Sequence, residues 1–196
     1  RYVCLELKRR GYEVFGLTSD YSIDGQSIDL MNKDALNAVV SELQPASVIH
    51  LAAISYVDHG CESDFKKVNV EGTANLLDVI QSHANDLLNV VVASSANIYG
   101  NVSESDIPIR ESTIPNPVNA YAESKLLMEQ RIKDDFLDLP ITIVRPFNYT
   151  GVGQSVNFLI PKIVNVFKHR LSVLELGNID VYRDFSDVRM IAWAYA

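Results

Sequence analysis

Cysteine is scarce in this chain: Cys4 and Cys61 are the two among 196 residues. Two thiols build no disulfide framework, so a reducing compartment, the cytoplasm, is the expected setting. Neither thiol has a second Cys or a His at zinc-finger spacing, and no metal is expected. Long apolar runs are missing too. The stretch 48–54, VIHLAAI, falls well short of the about 20 residues that cross a bilayer. No basic segment leads into an apolar one as in a secretory signal, so a membrane is not an expected partner. Positive charge is in short supply: 17 Lys+Arg against 25 Asp+Glu leave a formal net charge of −8. A chain this acidic is poorly suited to coating nucleic acid, and any phosphate it binds has to be held by a few placed groups.

What is present is enough apolar material, 47% of residues, to bury a sizeable core. Its arrangement alternates. Amphipathic helices are expected at about 32–43, 62–83 and 119–136. They lead into apolar, β-branched strands at 47–52, 89–94 (NVVVAS) and 141–145 (ITIVR). Continuous apolar strands separated by helices predict a parallel sheet with right-handed crossovers, a doubly wound α/β fold. An earlier strand is expected at 12–17, after a helix whose basic end and Gly11 mark its C-terminus. Nothing in the sequence starts that helix, and the helix opened by Asp187 stops at Ala196. The expectation is therefore a sheet lacking its first strand and glycine-rich turn. A dinucleotide-binding domain is expected over 1–150 and the beginning of a substrate region over 151–196.

Such sheets bind ligands beyond the carboxyl ends of their strands. Thr18-Ser19-Asp20 follows the expected first strand, where an adenosine ribose would lie. Two hydroxyls and a late acid leave NAD and NADP both open. Asp29-Leu30 has a carboxylate for an adenine amine beside an apolar surface, although an ordinary helix-approach turn reads the same way. His50-Leu51-Ala52-Ala53 closes a strand with small residues that admit a cofactor; alone, the His reads as a structural hydrogen-bonder.

The strand 89–94 runs into Ser94-Ser95-Ala96-Asn97-Ile98-Tyr99-Gly100, which puts hydroxyls at a strand end. Farther on, Tyr121-Ala122-Glu123-Ser124-Lys125 sets a phenol and an ammonium at i and i+4 on one helix face. The ammonium favours phenolate, making Tyr121 able to exchange a proton near neutral pH. With a serine orienting the same oxygen, the group suits hydride transfer at a carbon bearing that oxygen. A Tyr-x-x-x-Lys pair alone is also an ordinary surface motif; the strand-end Ser is what raises it.

Asp29-Leu30, HLAA at 50–53, NVEGTANLL at 69–77, SSANIYG at 94–100, YAESK at 121–125, RPFNYTG at 145–151 and YRDFSDV at 182–188 follow in order. As a set they resemble the extended short-chain dehydrogenase/reductases of the nucleotide-sugar epimerase/dehydratase group, along essentially the whole chain. The resemblance implies a Rossmann-like fold and an NAD(P) cofactor. It implies Ser95, Tyr121 and Lys125 as catalytic residues, Lys125 also holding the nicotinamide ribose. The implied cofactor contacts are Thr18, Asp29, Leu30, Leu51, Ala52, Ala53, Tyr121 and Lys125. The implied substrate contacts are Ser95, Asn97, Asn148 and Arg183, the last reaching a diphosphate for which a planar guanidinium is well matched. Arg183 also reads as an ion-pair partner of Asp184 or Asp187, and Asn148 as a turn former.

Sugar dehydratases of this group carry carboxylates just after the catalytic hydroxyl, where this chain has Ala96 and Asn97; dehydration is disfavoured. The stretches 107–125, 145–155 and 175–188 are similar to GDP-4-keto-6-deoxy-D-mannose reductases, which form GDP-rhamnose. Reduction of that GDP-sugar is the leading expectation. A UDP-hexose 4-epimerase or another 4-keto-sugar reductase is the alternative, and a non-catalytic dinucleotide-sensing domain a lesser one. The two long helices resemble those of dimeric relatives, so a homodimer is expected, although Leu76, Leu77, Val79, Ile80, Leu126, Leu127 and Ile132 equally suit a core.

Overall fold

The computed structural model describes residues 1–18, 27–55 and 61–196. In chain order its helices are α1 (Tyr2–Arg9), α2 (Lys33–Leu43), α3 (Glu62–Phe65), α4 (Thr73–His83), α5 (Ala120–Asp135), α6 (Leu159–Lys168) and α7 (Val188–Tyr195). The strands are β1 (Ser47–His50), β2 (Asn89–Ala93), β3 (Ile141–Val144), β4 (Asn148–Thr150) and β5 (Phe185–Asp187). They form two compact units, Phe15–Pro146 and the combination of Arg1–Val14 with Phe147–Ala196.

In the unit Phe15–Pro146, β1, β2 and β3 make a parallel sheet in that order. Val90 stands beside Val48 on one side and Ile141 on the other. Parallel neighbours need crossovers, and the helices supply them with their apolar faces turned inward. Leu36 and Val40 of α2, Leu77 and Ile80 of α4, Val90 and Val92 of β2, and Met128 and Ile132 of α5 share one buried cluster. Each such side chain stabilises the fold by about 1.5–3 kcal/mol through removal from water. Caps fix where helices begin: Asn32 Oδ1 accepts from Ala35 N at 3.1 Å and Asn119 Oδ1 from Ala122 N at 2.8 Å.

The expected helix over 62–83 is continuous but not uniform. Between α3 and α4 the residues Lys66–Gly72 are π-helical, a widened register that often marks functional places. The stretch buries Asn69, Val70 and Gly72. The expected strand over 12–17 is not formed: among the described residues it has no ladder partner, and only the single bridge Thr18–Ser27 follows. A strand exists through its neighbours' hydrogen bonds, so extended, apolar residues without an adjacent strand remain irregular.

In the unit of Arg1–Val14 with Phe147–Ala196, β4 and β5 pair in parallel. Arg10 lays its guanidinium over the Trp193 ring at 5.7 Å and donates to the Trp193 carbonyl at 2.9 Å, fastening α1 to α7. Gly11, at φ +89°, ends α1 as expected. Its N–H reaches Lys8 O at 3.0 Å and the next N–H, of Tyr12, reaches Leu7 O at 3.1 Å, the paired closure that a left-handed residue permits.

Candidate active site

Tyr121 and Lys125 lie in the first turns of α5, both on its buried side. Asn119 starts the helix just before them, so its cap sets the position of the phenol. Lys125 Nζ donates to Ala93 O at 2.7 Å. That carbonyl is the last of β2, two residues before Ser95, so the bond docks the head of α5 onto the strand end. Ser95 opens a short 3-10 turn, Ala96–Tyr99, and accepts from Asn97 N through its Oγ at 3.2 Å. Accepting that bond leaves the hydroxyl hydrogen to donate. Gly100 makes the turn possible. Its φ is +62°, and a Cβ there would stand 1.9 Å from Asn116 O. Ser94 Oγ is buried and has no protein partner among the described residues.

Burial shapes the charges. Removal from water lowers the Lys125 pKa to about 8, against an opposing influence from the Glu129 carboxylate. The ammonium therefore titrates close to physiological pH. His50, at the end of β1, is pushed down to about 3, first by burial and then by the positive Lys125. It remains neutral. Tyr121 meets the Phe65 ring edge-on, centroids 6.2 Å apart.

Behind these residues runs a chain of neutral hydrogen bonds. Thr73 Oγ1 gives its proton to Asn69 O at 2.7 Å, so His50 Nε2, 2.9 Å away, is the donor to Thr73. Asn69 Nδ2 donates to Ser124 Oγ at 2.9 Å and to Ile54 O at 3.1 Å, while its Oδ1 accepts from Ile54 N at 2.9 Å. Ser124 in turn donates to Tyr121 O at 2.8 Å. Asn69 thus ties the segment after β1 to the turn of α5 that carries Tyr121. Asn69 stands in the motif 69–77, which by itself gives it no part; the π-helical register that buries its amide leaves no local signal in the sequence.

Two charged residues have no part assigned from the sequence: Glu129, and Arg145, which ends the expected strand 141–145 and opens the motif 145–151. Arg145, directly after β3, makes two bonds to Glu129 of α5, Nε–Oε1 at 2.9 Å and Nη2–Oε2 at 2.6 Å. Its Nη1 donates to Tyr99 OH at 2.7 Å and to Glu111 O at 3.2 Å. Glu129 is fully buried, and the bond to its carboxylate holds the guanidinium above its ordinary pKa. The signal for Glu129 was its place at i+8 from Tyr121 and i+4 from Lys125.

The other expected contacts are distributed as follows. Thr18 is exposed, its carbonyl accepting from Ile28 N at 3.0 Å. Ser19 and Asp20 lie outside the described residues. Asp29 is exposed and bonds Met31 N through Oδ1 at 2.9 Å; Leu30 is half-buried. Leu51 and Ala52 are exposed and Ala53 half-buried at the end of β1. Asn97 presents its side chain to solvent. Asn148 and Arg183 belong to the other unit. The Asn148 amide donates to Asp184 O at 3.1 Å, tying the paired segments of β4 and β5 together. Arg183 is exposed and donates to Tyr182 O at 3.3 Å. Asp187 pairs with Arg189 rather than with Arg183, and it caps α7 by accepting from Arg189 N at 2.8 Å.

Known proteins resemble this chain in sequence and in fold. The chain is 39% identical over 181 residues to a GDP-6-deoxy-D-talose 4-dehydrogenase from Aggregatibacter actinomycetemcomitans, covering 92% of this chain and 59% of that protein. It is 36% identical over 180 residues to a GDP-6-deoxy-D-mannose reductase from Pseudomonas aeruginosa, covering 85% of this chain and 57% of the relative. The chain therefore spans somewhat more than half the length of these relatives. The structure of RMD from Pseudomonas aeruginosa complexed with NADPH superposes with a TM-score of 0.76 at 35% identity, over 87% of this chain and 61% of that one. The model of the NAD dependent epimerase/dehydratase family matches residues 1–196, and the chain belongs to that family.

Proposed function

We propose that the chain is the catalytic part of an NAD(P)-dependent oxidoreductase that acts at C4 of a nucleotide-diphosphate sugar and reduces GDP-4-keto-6-deoxy-D-mannose. The observation that carries the reading is the docking of Lys125 onto Ala93 O, which sets the head of α5, with Tyr121, against the strand end that continues into Ser95. The two relatives at 39% and 36% identity are named for GDP-6-deoxy sugars that are C4 epimers. Oxidised at C4, both give the same keto sugar.

The residues fit a nicotinamide dinucleotide. Lys125 Nζ spends one N–H on Ala93 O and keeps two for ribose hydroxyls. Ala52 and Ala53 let a flat ring approach the backbone, and Asp29 retains its second carboxylate oxygen for an adenine amine. The bound dinucleotide supplies the hydride in the reducing direction. Ser95 donates to the sugar O4, and Tyr121 gives that oxygen its proton as the hydride arrives at C4. Lys125, charged below about pH 8, stabilises the phenolate that remains. Arg183 binds the diphosphate and Asn148 and Asn97 contact the sugar nucleotide. A side chain already engaged, as Asn148 is with Asp184 O, has its carbonyl oxygen left to accept.

No helix among the described residues is long and apolar enough to cross a membrane, and a cytoplasmic setting completes the reading. A homodimer belongs to it as well. Leu76, Leu77, Val79, Ile80 and Ile132 are consumed by the chain's own core, whereas Leu126 and Leu127, although packed against core clusters of this chain, stay half-buried and keep part of their surface for a partner.

The experiment is incubation of the full-length protein with GDP-4-keto-6-deoxy-D-mannose and NADPH or NADH, with the product's C4 configuration read by NMR. Oxidation of the reduced cofactor with formation of GDP-6-deoxy-D-mannose is expected. Formation of the talose epimer, which the 39% relative favours, keeps the reaction and reverses the face. Epimerisation of a UDP-hexose with no turnover of the keto sugar would overturn the reading, as would dinucleotide binding with neither reaction.

A further inference from the structure

Serine and tyrosine must be held at a fixed separation if both are to engage one oxygen, and they come from different elements. Ser95 begins the 3-10 turn after β2, and Tyr121 sits in the first turn of α5. The segment between them, 101–118, is mostly exposed and contains no long helix or strand. It does not fix that separation by its own stiffness.

Arg145 reaches all three parts at once. Its Nε and Nη2 grip Glu129 on α5, and its Nη1 binds both Tyr99 OH, at the end of the Ser95 turn, and Glu111 O, in the intervening segment. The guanidinium also lies against the Tyr99 ring, 5.3 Å from its centroid. Five N–H donors in a rigid plane match this set of acceptors; a lysine ammonium cannot reproduce the fork. Glu129 is 1% exposed and Arg145 19%. Buried ion pairs rarely add much stability over apolar packing, so a pair retained here asks for another reason.

We propose that Arg145, paired with Glu129, is a positioning residue that sets the separation of Ser95 from Tyr121 by clamping the serine turn and α5 to the end of β3. This rests on the reading of Ser95 and Tyr121 given above. The clamp touches neither substrate nor cofactor; it acts through Tyr99 on the serine side and through Glu129, two turns along α5 from Tyr121.

The test uses Arg145→Lys and Tyr99→Phe in the full-length protein. Arg145→Lys keeps the charge beside Glu129 and loses the fork, while Tyr99→Phe deletes one hydroxyl and leaves the ion pair in place. For both, kcat is expected to fall about tenfold or more while the KM for the dinucleotide is unchanged, since a misplacement of about 1 Å is costly to catalysis but not to binding at a distance. Crystal structures are expected to show the Ser95 Oγ to Tyr121 Oη separation altered in both variants. Folded variants with wild-type kcat and an unchanged separation would overturn the proposal. If Arg145→Lys fails to fold, Tyr99→Phe decides alone. A wild-type protein inert toward the keto sugar refutes the reading above instead, and the separation measured in the variants still decides the clamp.

Discussion

The unit Phe15–Pro146 and the unit of Arg1–Val14 with Phe147–Ala196 use the same kinds of element and bury them very differently. Among the described residues, every buried apolar side chain except Ala192 lies in the first, as do His50, Asn69, Thr73, Ser95, Lys125 and Glu129. In the second, α6 buries nothing fully, and Phe167 and Met190 are exposed. The contrast follows the chemistry proposed for each. A lysine that titrates near pH 8 and a histidine kept neutral need a surrounding poor in water. An arginine that receives a diphosphate needs access, and Arg183 has it.

Breaking the core should therefore cost much in one unit and little in the other. Leu77→Ala removes a fully buried side chain of α4 and should destabilise the protein by about 2–5 kcal/mol in denaturant titrations. Val164→Ala, on the exposed side of α6, should change stability by about 0.5 kcal/mol or less. Equal effects of the two would remove the distinction.

The next effect is electrostatic. Lys125 has a folded pKa of about 8 below its ordinary value of 10.5, so between those pH values the unfolded chain binds more protons. The lysine's penalty is fully present below about pH 8 and is relieved as pH rises toward 10.5. Compared with Lys125→Met, the wild-type protein should gain stability over that window, by about 2–4 kcal/mol. Parallel pH profiles would mean that the ammonium is not desolvated. The same titration should make turnover fall above about pH 8, because a neutral amine no longer stabilises the phenolate.

A smaller effect probes how the helix head is held. Asn119→Ala removes the cap before Tyr121 and should cost about 1 kcal/mol, with some loss of kcat because the first turn frays. A cap substitution that lowers stability and spares kcat would show that Lys125 and Ser124 suffice to hold the turn.

Much of the first unit was legible because its determinants are local. Asn32 and Asn119 announce helix starts, and the apolar spacing within 62–83 marks a buried face that the structure finds in Leu76, Leu77, Val79 and Ile80. Ser95, Tyr121 and Lys125 could be singled out because strand end and helix spacing are both visible in sequence. What stayed hidden depends on distant partners. The residues 12–17 look like a strand, and pairing, which no local pattern encodes, decides otherwise. Glu129 and Arg145 are charged, and charged residues are seldom buried unless paired; their pairing spans 16 positions. The π-helical turn at Lys66–Gly72 adds no composition signal to the helix around it.

The central claim is that Tyr121 delivers the proton to the oxygen whose carbon receives the hydride. Its most direct test is the rate of keto-sugar reduction by the full-length protein and its Tyr121→Phe variant, with dinucleotide affinity measured alongside. The account predicts a loss of about 10²–10⁴-fold in rate with dinucleotide binding retained. A Tyr121→Phe enzyme that reduces the sugar at the wild-type rate would contradict it.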